Sequence, residues 1–126
     1  MEKNNLLLSS LSHTWIFDLD GTILKHNGYK IDGEDTILDG AKEFLNSIPT
    51  SDMIVIITSR KEEYRDITTD FLLRNGIRFD HIIFNAPYGE RILVNDSKPS
   101  GLCCSVAVNF QRDVFQLNKI VIDEAL

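Results

Sequence analysis

The chain has 126 residues, of which 25% are charged and 43% are hydrophobic, and its formal net charge at pH 7 is -6. This length fits one domain with a single sizeable core, and the composition is typical of a soluble globular protein. The acidic balance disfavours nucleic acid and anionic membranes as partners, because both select basic surfaces. A small phosphorylated substrate is not excluded, since a bound divalent cation reverses the local field.

Residues 6–8, three leucines near the amino end, are the candidate targeting segment. They are too few to span a membrane, and no small-residue cleavage site follows, so we expect neither an anchor nor a signal peptide. The expected compartment is therefore the cytoplasm. Cys103 and Cys104 are adjacent and cannot join distant segments. Buried or half-buried free thiols are the expected state, with a vicinal redox pair as the alternative.

In the first half of the chain, apolar runs and helical spacings predict a strand, a loop and a helix. Residues 1–11 are expected to form a loosely packed start, and residues 14–18 a strand buried on both faces. The polar stretch 23–39, punctuated by glycine, is predicted to be a long loop or flap. The apolar spacing over residues 41–48 predicts an amphipathic helix that ends at Pro49.

The second half continues the alternation. Residues 53–57 predict a buried strand, after which Ser59 and Glu62 fit the capping box of a helix that Gly76 closes. The remaining predicted elements are short strands at residues 81–84, 91–95 and 105–110 and a carboxyl-terminal element at residues 114–126, for which a helix is favoured over a strand.

Strands that alternate with helices predict an α/β fold in which helices cover both faces of a parallel sheet. Ligands bind such sheets at the carboxyl ends of the strands, where the strand order reverses. Asp18, Thr58 and Asp96 each stand at the end of a predicted strand. We therefore expect these three side chains to meet at one edge of the sheet.

The stretch most informative about function is WIFDLDGT, residues 15–22. An apolar strand leads directly into two carboxylates, and its period of two places Asp18 and Asp20 on the same side. The octet resembles the first motif of the haloacid dehalogenase superfamily of phosphatases, an apolar run followed by Asp-x-Asp-Gly-Thr, and every specified position is filled. The alternative is an ordinary strand followed by an acidic turn.

The resemblance extends over roughly residues 14–112 and implies a three-layer α/β/α, Rossmann-like parallel sheet. Larger relatives carry a cap domain for which this chain has no room, so we expect one domain over residues 1–126, without a large cap and with an open site. An open site suits a bulky phosphate ester, such as a phosphorylated sugar, nucleotide or lipid. A homo-oligomer in which a second subunit closes the site is the alternative. Small capless members associated with bacterial surface-polysaccharide synthesis make a sugar phosphate one candidate substrate.

The residues at this edge have the chemistry for phosphate ester hydrolysis. As a nucleophile, the Asp18 carboxylate would form an aspartyl-phosphate, while Asp20 would protonate the leaving alcohol and then deprotonate water. Thr58, just before a helix, offers its hydroxyl and nearby N–H groups to the phosphate oxygens. A hard cation is needed between two anions, and the Asp18 side chain, the Asp20 carbonyl and the Asp96 side chain are oxygen ligands that suit Mg²⁺. The resemblance implies the same roles, namely Asp18 as nucleophile, Asp20 as acid and base, Thr58 as the hydroxyl of the second motif and Asp96 as the metal ligand of the fourth.

Two features depart from the superfamily pattern. The fourth motif commonly contains a second acid, but this chain has Asn95, whose amide oxygen can bind Mg²⁺ without adding negative charge. The third motif normally supplies a lysine that neutralises the nucleophile and the phosphate, and residues 84–90 contain none. Lys98 is the favoured replacement, ahead of Arg60 and Arg91.

Two other functions stay open. A catalytically weak relative would bind a phosphorylated ligand or a protein partner through the same pocket, which Asn95 and the missing lysine favour. A phosphate-receiving regulatory domain also uses a strand-end aspartate and Mg²⁺. Such a domain benefits from slow hydrolysis, so a second aspartate at position 20 disfavours it.

Overall fold

The structure is a computed structural model that describes residues 3–126. It has the α/β class predicted from the sequence, with two small parallel sheets and a few short helices. The elements in chain order are β1 (Asn4–Leu8), β2 (Thr14–Asp18), α1 (Gly28–Ile31), α2 (Ala41–Ser47), β3 (Met53–Ile57), a 3₁₀ turn (Glu62–Tyr64), α3 (Arg65–Arg74), β4 (His81–Ile83) and β5 (Leu117–Ile122). No helix within the described range 3–126 has the length and apolar character needed to cross a membrane.

The larger sheet has the strand order β2-β3-β4, with all neighbours parallel. In its register Asp18 lies beside Ile57, and Ile57 lies beside Ile83, so the three strands end at the same edge. The second sheet pairs β1 with β5, also in parallel. The carboxyl ends of β2 and β3 therefore meet at one edge of the larger sheet, as the sequence predicts.

The larger sheet is buried on one face only. Alternate residues of β2 and β3, such as Phe17 and Ile56, belong to one apolar cluster to which α2 and α3 also contribute. The rings of Trp15 in β2 and Phe44 in α2 lie 5.6 Å apart at a steep angle. On the opposite face Ile16 is 50% exposed, so the expectation that this strand is buried on both faces is wrong. A three-residue apolar run does not by itself distinguish a strand covered on both faces from one covered on a single face.

The two ends of the chain differ from the sequence expectations. The start predicted to be loose contains β1, although the first two positions of that range lie outside the described residues. The tail forms β5 instead of the favoured helix. Leu6 and Leu8 of β1, with Leu117 and Ile120 of β5, pack on the core, which explains why both ends are ordered as strands. A strand whose partner lies at the other end of the chain is stabilised by contacts that its own local sequence does not show.

The predicted strands at residues 91–95 and 105–110 are irregular in the structure. Ile92 is 85% exposed, so this apolar run neither joins a sheet nor enters the core. A strand requires a neighbour for its backbone hydrogen bonds, which local sequence does not reveal. Asp96 consequently does not follow a strand. Cys103 and Cys104, in the same segment, are free thiols; Cys104 is half-buried as predicted, but Cys103 is exposed because this segment does not enter the core.

The helix predicted to begin at Ser59 begins later, as a 3₁₀ turn that continues into α3. The capping box does not form, because the Glu62 carboxylate pairs with Arg65 and the Glu62 N–H donates to the Asn85 side chain. The predicted loop at residues 23–39 contains the single turn α1 and one antiparallel bridge. Residues 41–48 and 53–57 match the predicted helix and strand closely, since α2 and β3 lie within them.

A buried carboxylate anchors the sheet at its amino end. Asp52, just before β3, accepts hydrogen bonds from the Trp15 indole N–H and the His13 backbone N–H, each at 3.0 Å. Burial alone would raise the pKa of Asp52, but these hydrogen bonds outweigh it and hold the pKa below its usual value. The ionised carboxylate therefore favours the folded state.

We expect Asp52→Asn to lower the free energy of unfolding at neutral pH by about 1–3 kcal/mol, because the buried Trp15 N–H and the half-buried His13 N–H lose their charged acceptor. A carboxyl with a depressed pKa stabilises the fold above its unfolded value of 3.8, and this contribution is lost as the pH falls through the folded pKa. The difference between the two proteins should thus shrink on acidification. Urea denaturation at neutral and acidic pH measures this difference in the free energy of unfolding. The control is Asp70→Asn, on the exposed side of α3. A difference that stays constant with pH would contradict the prediction.

Candidate functional site

A tight turn after β2 sets the direction of the two motif aspartates. The Leu19 carbonyl accepts the N–H groups of residues 22, 23 and 24, and the Leu19 side chain is fully buried. Gly21 has φ +86°, a left-handed conformation that disfavours side chains, and a Cβ there would lie 3.2 Å from the Arg112 side chain. The motif glycine is therefore required both by the backbone and by the close approach of a neighbour.

Asp18 is an accessible carboxylate at the carboxyl edge of the sheet, with its side chain 40% exposed. Its Oδ2 accepts a hydrogen bond from the Thr22 hydroxyl at 2.9 Å, and its Oδ1 accepts one from Arg91 Nη1 at 3.2 Å. The second amino group of Arg91 lies 3.4 Å from the Ser59 hydroxyl. The structure thus surrounds the predicted nucleophile with a hydroxyl, a cation and open solvent.

Asp20 belongs to a buried ionic cluster centred on Arg60, which we call the Arg60 cluster. The guanidinium donates to both oxygens of Asp20, at 2.8 and 3.1 Å, and to both oxygens of Asp35, at 2.7 and 3.0 Å. It also donates to the Thr68 hydroxyl at 2.9 Å, and its Cζ lies 3.9 Å from the centre of the Tyr29 ring. These five residues form the Arg60 cluster.

The cluster is electrostatically matched. Arg60 is only 3% exposed. Burial disfavours the charged form of Arg60, but the hydrogen bonds and charges of Asp20 and Asp35 outweigh it, so the pKa of the guanidinium is raised above its ordinary value. The cation is permanent, and it joins the motif loop to the 23–39 segment and to α3.

Thr58 lies directly after β3, as predicted, and its side chain is buried. Its Oγ1 accepts the backbone N–H of Arg60 at 3.1 Å, and its own N–H donates to the Ile83 carbonyl at 2.9 Å. Thr58 therefore shapes the chain that enters the Arg60 cluster. Its hydroxyl hydrogen stays available to donate to an acceptor at the edge of the sheet.

The structure does not bring the other predicted site residues to Asp18. Asn95, Asp96 and Lys98 lie on an exposed turn, where the Asn95 amide donates to the Cys104 carbonyl and the Lys98 N–H donates to the Leu102 carbonyl. Over residues 3–126, no three His, Cys, Asp or Glu side chains come together as a metal site. Asp18 ends β2 and Thr58 follows β3, so these two residues stand at the same edge of the sheet, whereas Asp96 does not follow a strand.

The residues at the edge can nevertheless take part in holding Mg²⁺. The Asp18 carboxylate and the Asp20 carbonyl are hard oxygen ligands, whereas both carboxylate oxygens of Asp20 accept hydrogen bonds from Arg60. In phosphate-handling sites Mg²⁺ is usually bound by one or two carboxylates, water and substrate phosphate, not by an all-protein cage. This donor set fits an ion that arrives with a phosphate ester.

Asp35 is a part of the site that the sequence motifs did not indicate, whereas the sequence left Tyr29 open as a substrate contact or a solvated loop residue. Both lie in the segment predicted to be a flap, and Arg60 had been considered only as a substitute for the missing lysine. The available signal was an arginine three residues after the end of a buried strand, since a charge buried at such a place requires a partner. Which carboxylates supply it depends on the tertiary fold.

Comparison of the chain with known protein families, curated proteins and solved structures gives no match. The resemblance to the haloacid dehalogenase superfamily therefore depends on the motif residues of the sequence alone.

We expect Arg60→Met to lower the free energy of unfolding by about 3–5 kcal/mol, because it leaves the buried Asp35 carboxylate without its cation. The double variant Arg60→Met/Asp35→Asn should recover part of this loss, since it removes the unpaired charge as well. Urea denaturation of both variants measures the effect.

The matched control is Arg74→Met, at the exposed end of α3. It should change the free energy of unfolding by no more than about 0.5 kcal/mol. A similarly small loss for Arg60→Met would show that the cluster does not stabilise the fold.

Proposed function

We propose that this chain is a Mg²⁺-dependent phosphomonoester hydrolase of the haloacid dehalogenase superfamily. The observation that carries the proposal is the environment of Asp18. An accessible carboxylate stands at the carboxyl edge of a parallel sheet, with one oxygen bound by the Thr22 hydroxyl and the other by a cation. In such sheets this edge is where ligands bind. Asp20, two residues further on, is the general acid and base of the proposal.

In the first step, an Asp18 oxygen forms a bond to phosphorus as the ester P–O bond breaks, and the leaving oxygen takes a proton from Asp20. In the second step, Asp20 takes a proton from water, whose oxygen forms a bond to the phosphorus of the aspartyl-phosphate. The bond between phosphorus and the Asp18 oxygen breaks, which releases inorganic phosphate and restores the Asp18 carboxylate. The Thr22 hydroxyl orients the Asp18 carboxylate in both steps. Bound Mg²⁺ would supply charge neutralisation between the carboxylate and the phosphate.

The proposal requires a change at Asp20. Both of its oxygens accept hydrogen bonds from Arg60, and a carboxyl that donates a proton to a substrate must free one oxygen. Asp20 therefore acts after one of its two bonds to Arg60 opens. Asp96 and Asn95 would add ligands, and Lys98 would add charge, only if the turn that carries them moved towards Asp18.

We further propose that the substrate is a small phosphate ester, such as a sugar phosphate or a nucleotide, and that the protein acts in the cytoplasm. A three-layer Rossmann-like arrangement is part of the same proposal. It would require a further layer over the open sheet face, where Ile16 and Ile83 are each 50% exposed.

A second candidate function is binding of a phosphorylated ligand without turnover. One observation favours it: Asp20 is held on both oxygens by Arg60, which suits a structural carboxylate. In this alternative Asp18 and its surrounding donors bind the ligand, and no aspartyl-phosphate forms.

We expect the native protein to release phosphate from an aryl phosphate when Mg²⁺ is added, and Asp18→Asn to lower the turnover number by about 10³-fold or more, because the amide is not a nucleophile. Phosphate release and trapping of an acid-stable, hydroxylamine-sensitive phosphoprotein measure the two steps. Asp70→Asn, an exposed change of the same chemistry, is the control. Folded native protein that binds phosphate but shows no turnover would instead support the binding function.

We expect Asp20→Asn to affect substrates according to their leaving group. An alkyl phosphate should lose about 10²–10⁴-fold in rate, because its alkoxide needs a proton to depart. An aryl phosphate with an acidic phenol should keep a rapid first release of phenol, followed by slow dephosphorylation. Rapid-quench kinetics of both substrates test this. Equal losses for the two substrates in the first step would contradict the acid role.

A further inference from the structure

Arg91 occupies the place where a phosphoryl group bound to Asp18 needs positive charge. Its guanidinium lies 3.2 Å from Asp18 Oδ1 and 3.4 Å from the Ser59 hydroxyl. Asp18 ends β2, and Ser59 follows the end of β3. The guanidinium therefore spans the carboxyl ends of two neighbouring strands.

We infer that Arg91 is the phosphate-binding cation of this site and replaces the lysine that residues 84–90 lack. The inference rests on the proposed phosphatase function and names the residue that would bring the two anions together. It displaces Lys98, which was favoured from sequence and which lies on an exposed turn.

The ion pair between Arg91 and Asp18 is suited to opening. Their side chains are 36% and 40% exposed, and exposed ion pairs of this kind contribute little to stability. Arg91 can therefore replace its hydrogen bond to the Asp18 carboxylate with hydrogen bonds to phosphate oxygens at little cost to the stability of the fold. Arg60 cannot take this role, because all its donors are used inside the Arg60 cluster.

The chemistry of the guanidinium fits the task. Arginine keeps its charge at all physiological pH values, and its planar fork can donate two parallel hydrogen bonds to phosphate oxygens. A carboxylate that attacks a phosphate dianion is opposed by charge repulsion. A cation bound to both groups reduces that repulsion, and it does so most where negative charge grows in the transition state.

The test compares Arg91→Ala, Arg91→Lys and Lys98→Ala in the full chain, with Arg74→Ala as the control for loss of an exposed arginine on α3. With an aryl phosphate and Mg²⁺, Arg91→Ala should lose about 10²–10³-fold in kcat/KM, and Arg91→Lys should recover part of that loss. Arg74→Ala should match the native protein. Calorimetric titration with inorganic phosphate in the presence of Mg²⁺ should show that Arg91→Ala binds phosphate at least about tenfold more weakly than the native protein does.

The outcomes separate the inference from the proposed function. Native turnover that depends on Asp18 but survives Arg91→Ala within about twofold, or a larger loss in Lys98→Ala, would overturn the role of Arg91 and leave the phosphatase intact. Absence of native turnover would remove the phosphatase proposal, and the phosphate titration would still decide whether Arg91 binds the anion. Phosphate affinity that is unchanged in Arg91→Ala, or no phosphate binding at all, would overturn the inference.

Discussion

The candidate site depends on one buried guanidinium shared between two carboxylates. Arg60 is almost completely buried, and it donates to Asp20, Asp35 and the Thr68 hydroxyl. Leaving this cation or one of its carboxylates unpaired costs far more free energy than the intact pair contributes to stability. The segments that carry the partners of Arg60 are therefore held in fixed positions. Those segments are the motif loop, the stretch 23–39 and α3. The position of Asp20 is therefore set by tertiary structure as much as by its place in the motif.

The two arginines at this edge have different roles because they differ in burial. Arg60 is surrounded by acceptors, so its charge holds the loops together and is not available to a ligand. Arg91 makes one long hydrogen bond to Asp18 at a solvent-exposed position, so its charge is available to a ligand. The same side-chain chemistry thus stabilises structure where water is excluded and can bind an anion where water reaches it. In the proposal, burial and not residue type separates the structural arginine from the ligand-binding one.

Local patterns predicted the elements whose signal is complete within a few residues. The spacing of α2 and the apolar runs of β2 and β3 lie within short windows, and they agree with the structure. The same approach was wrong for residues 91–95, where an apolar run has no neighbouring strand, and for β5, whose partner stands at the opposite end of the chain. At the site, Asp18 and Thr58 were predictable because they end strands. Asp35 was not, because its contact with Arg60 depends on how the 23–39 segment folds back.

The second carboxylate of the cluster bears on whether Asp20 can act in catalysis. If Arg60 were paired with Asp20 alone, protonating Asp20 would leave a buried cation without a counter-charge, at a large energetic cost. Asp35 accepts two hydrogen bonds from the same guanidinium, and Thr68 accepts a third, so Arg60 stays neutralised and hydrogen-bonded when Asp20 opens. The second acidic partner is thus compatible with the proposed role of Asp20, because Asp35 and Thr68 keep the guanidinium in place when an Asp20 oxygen is released.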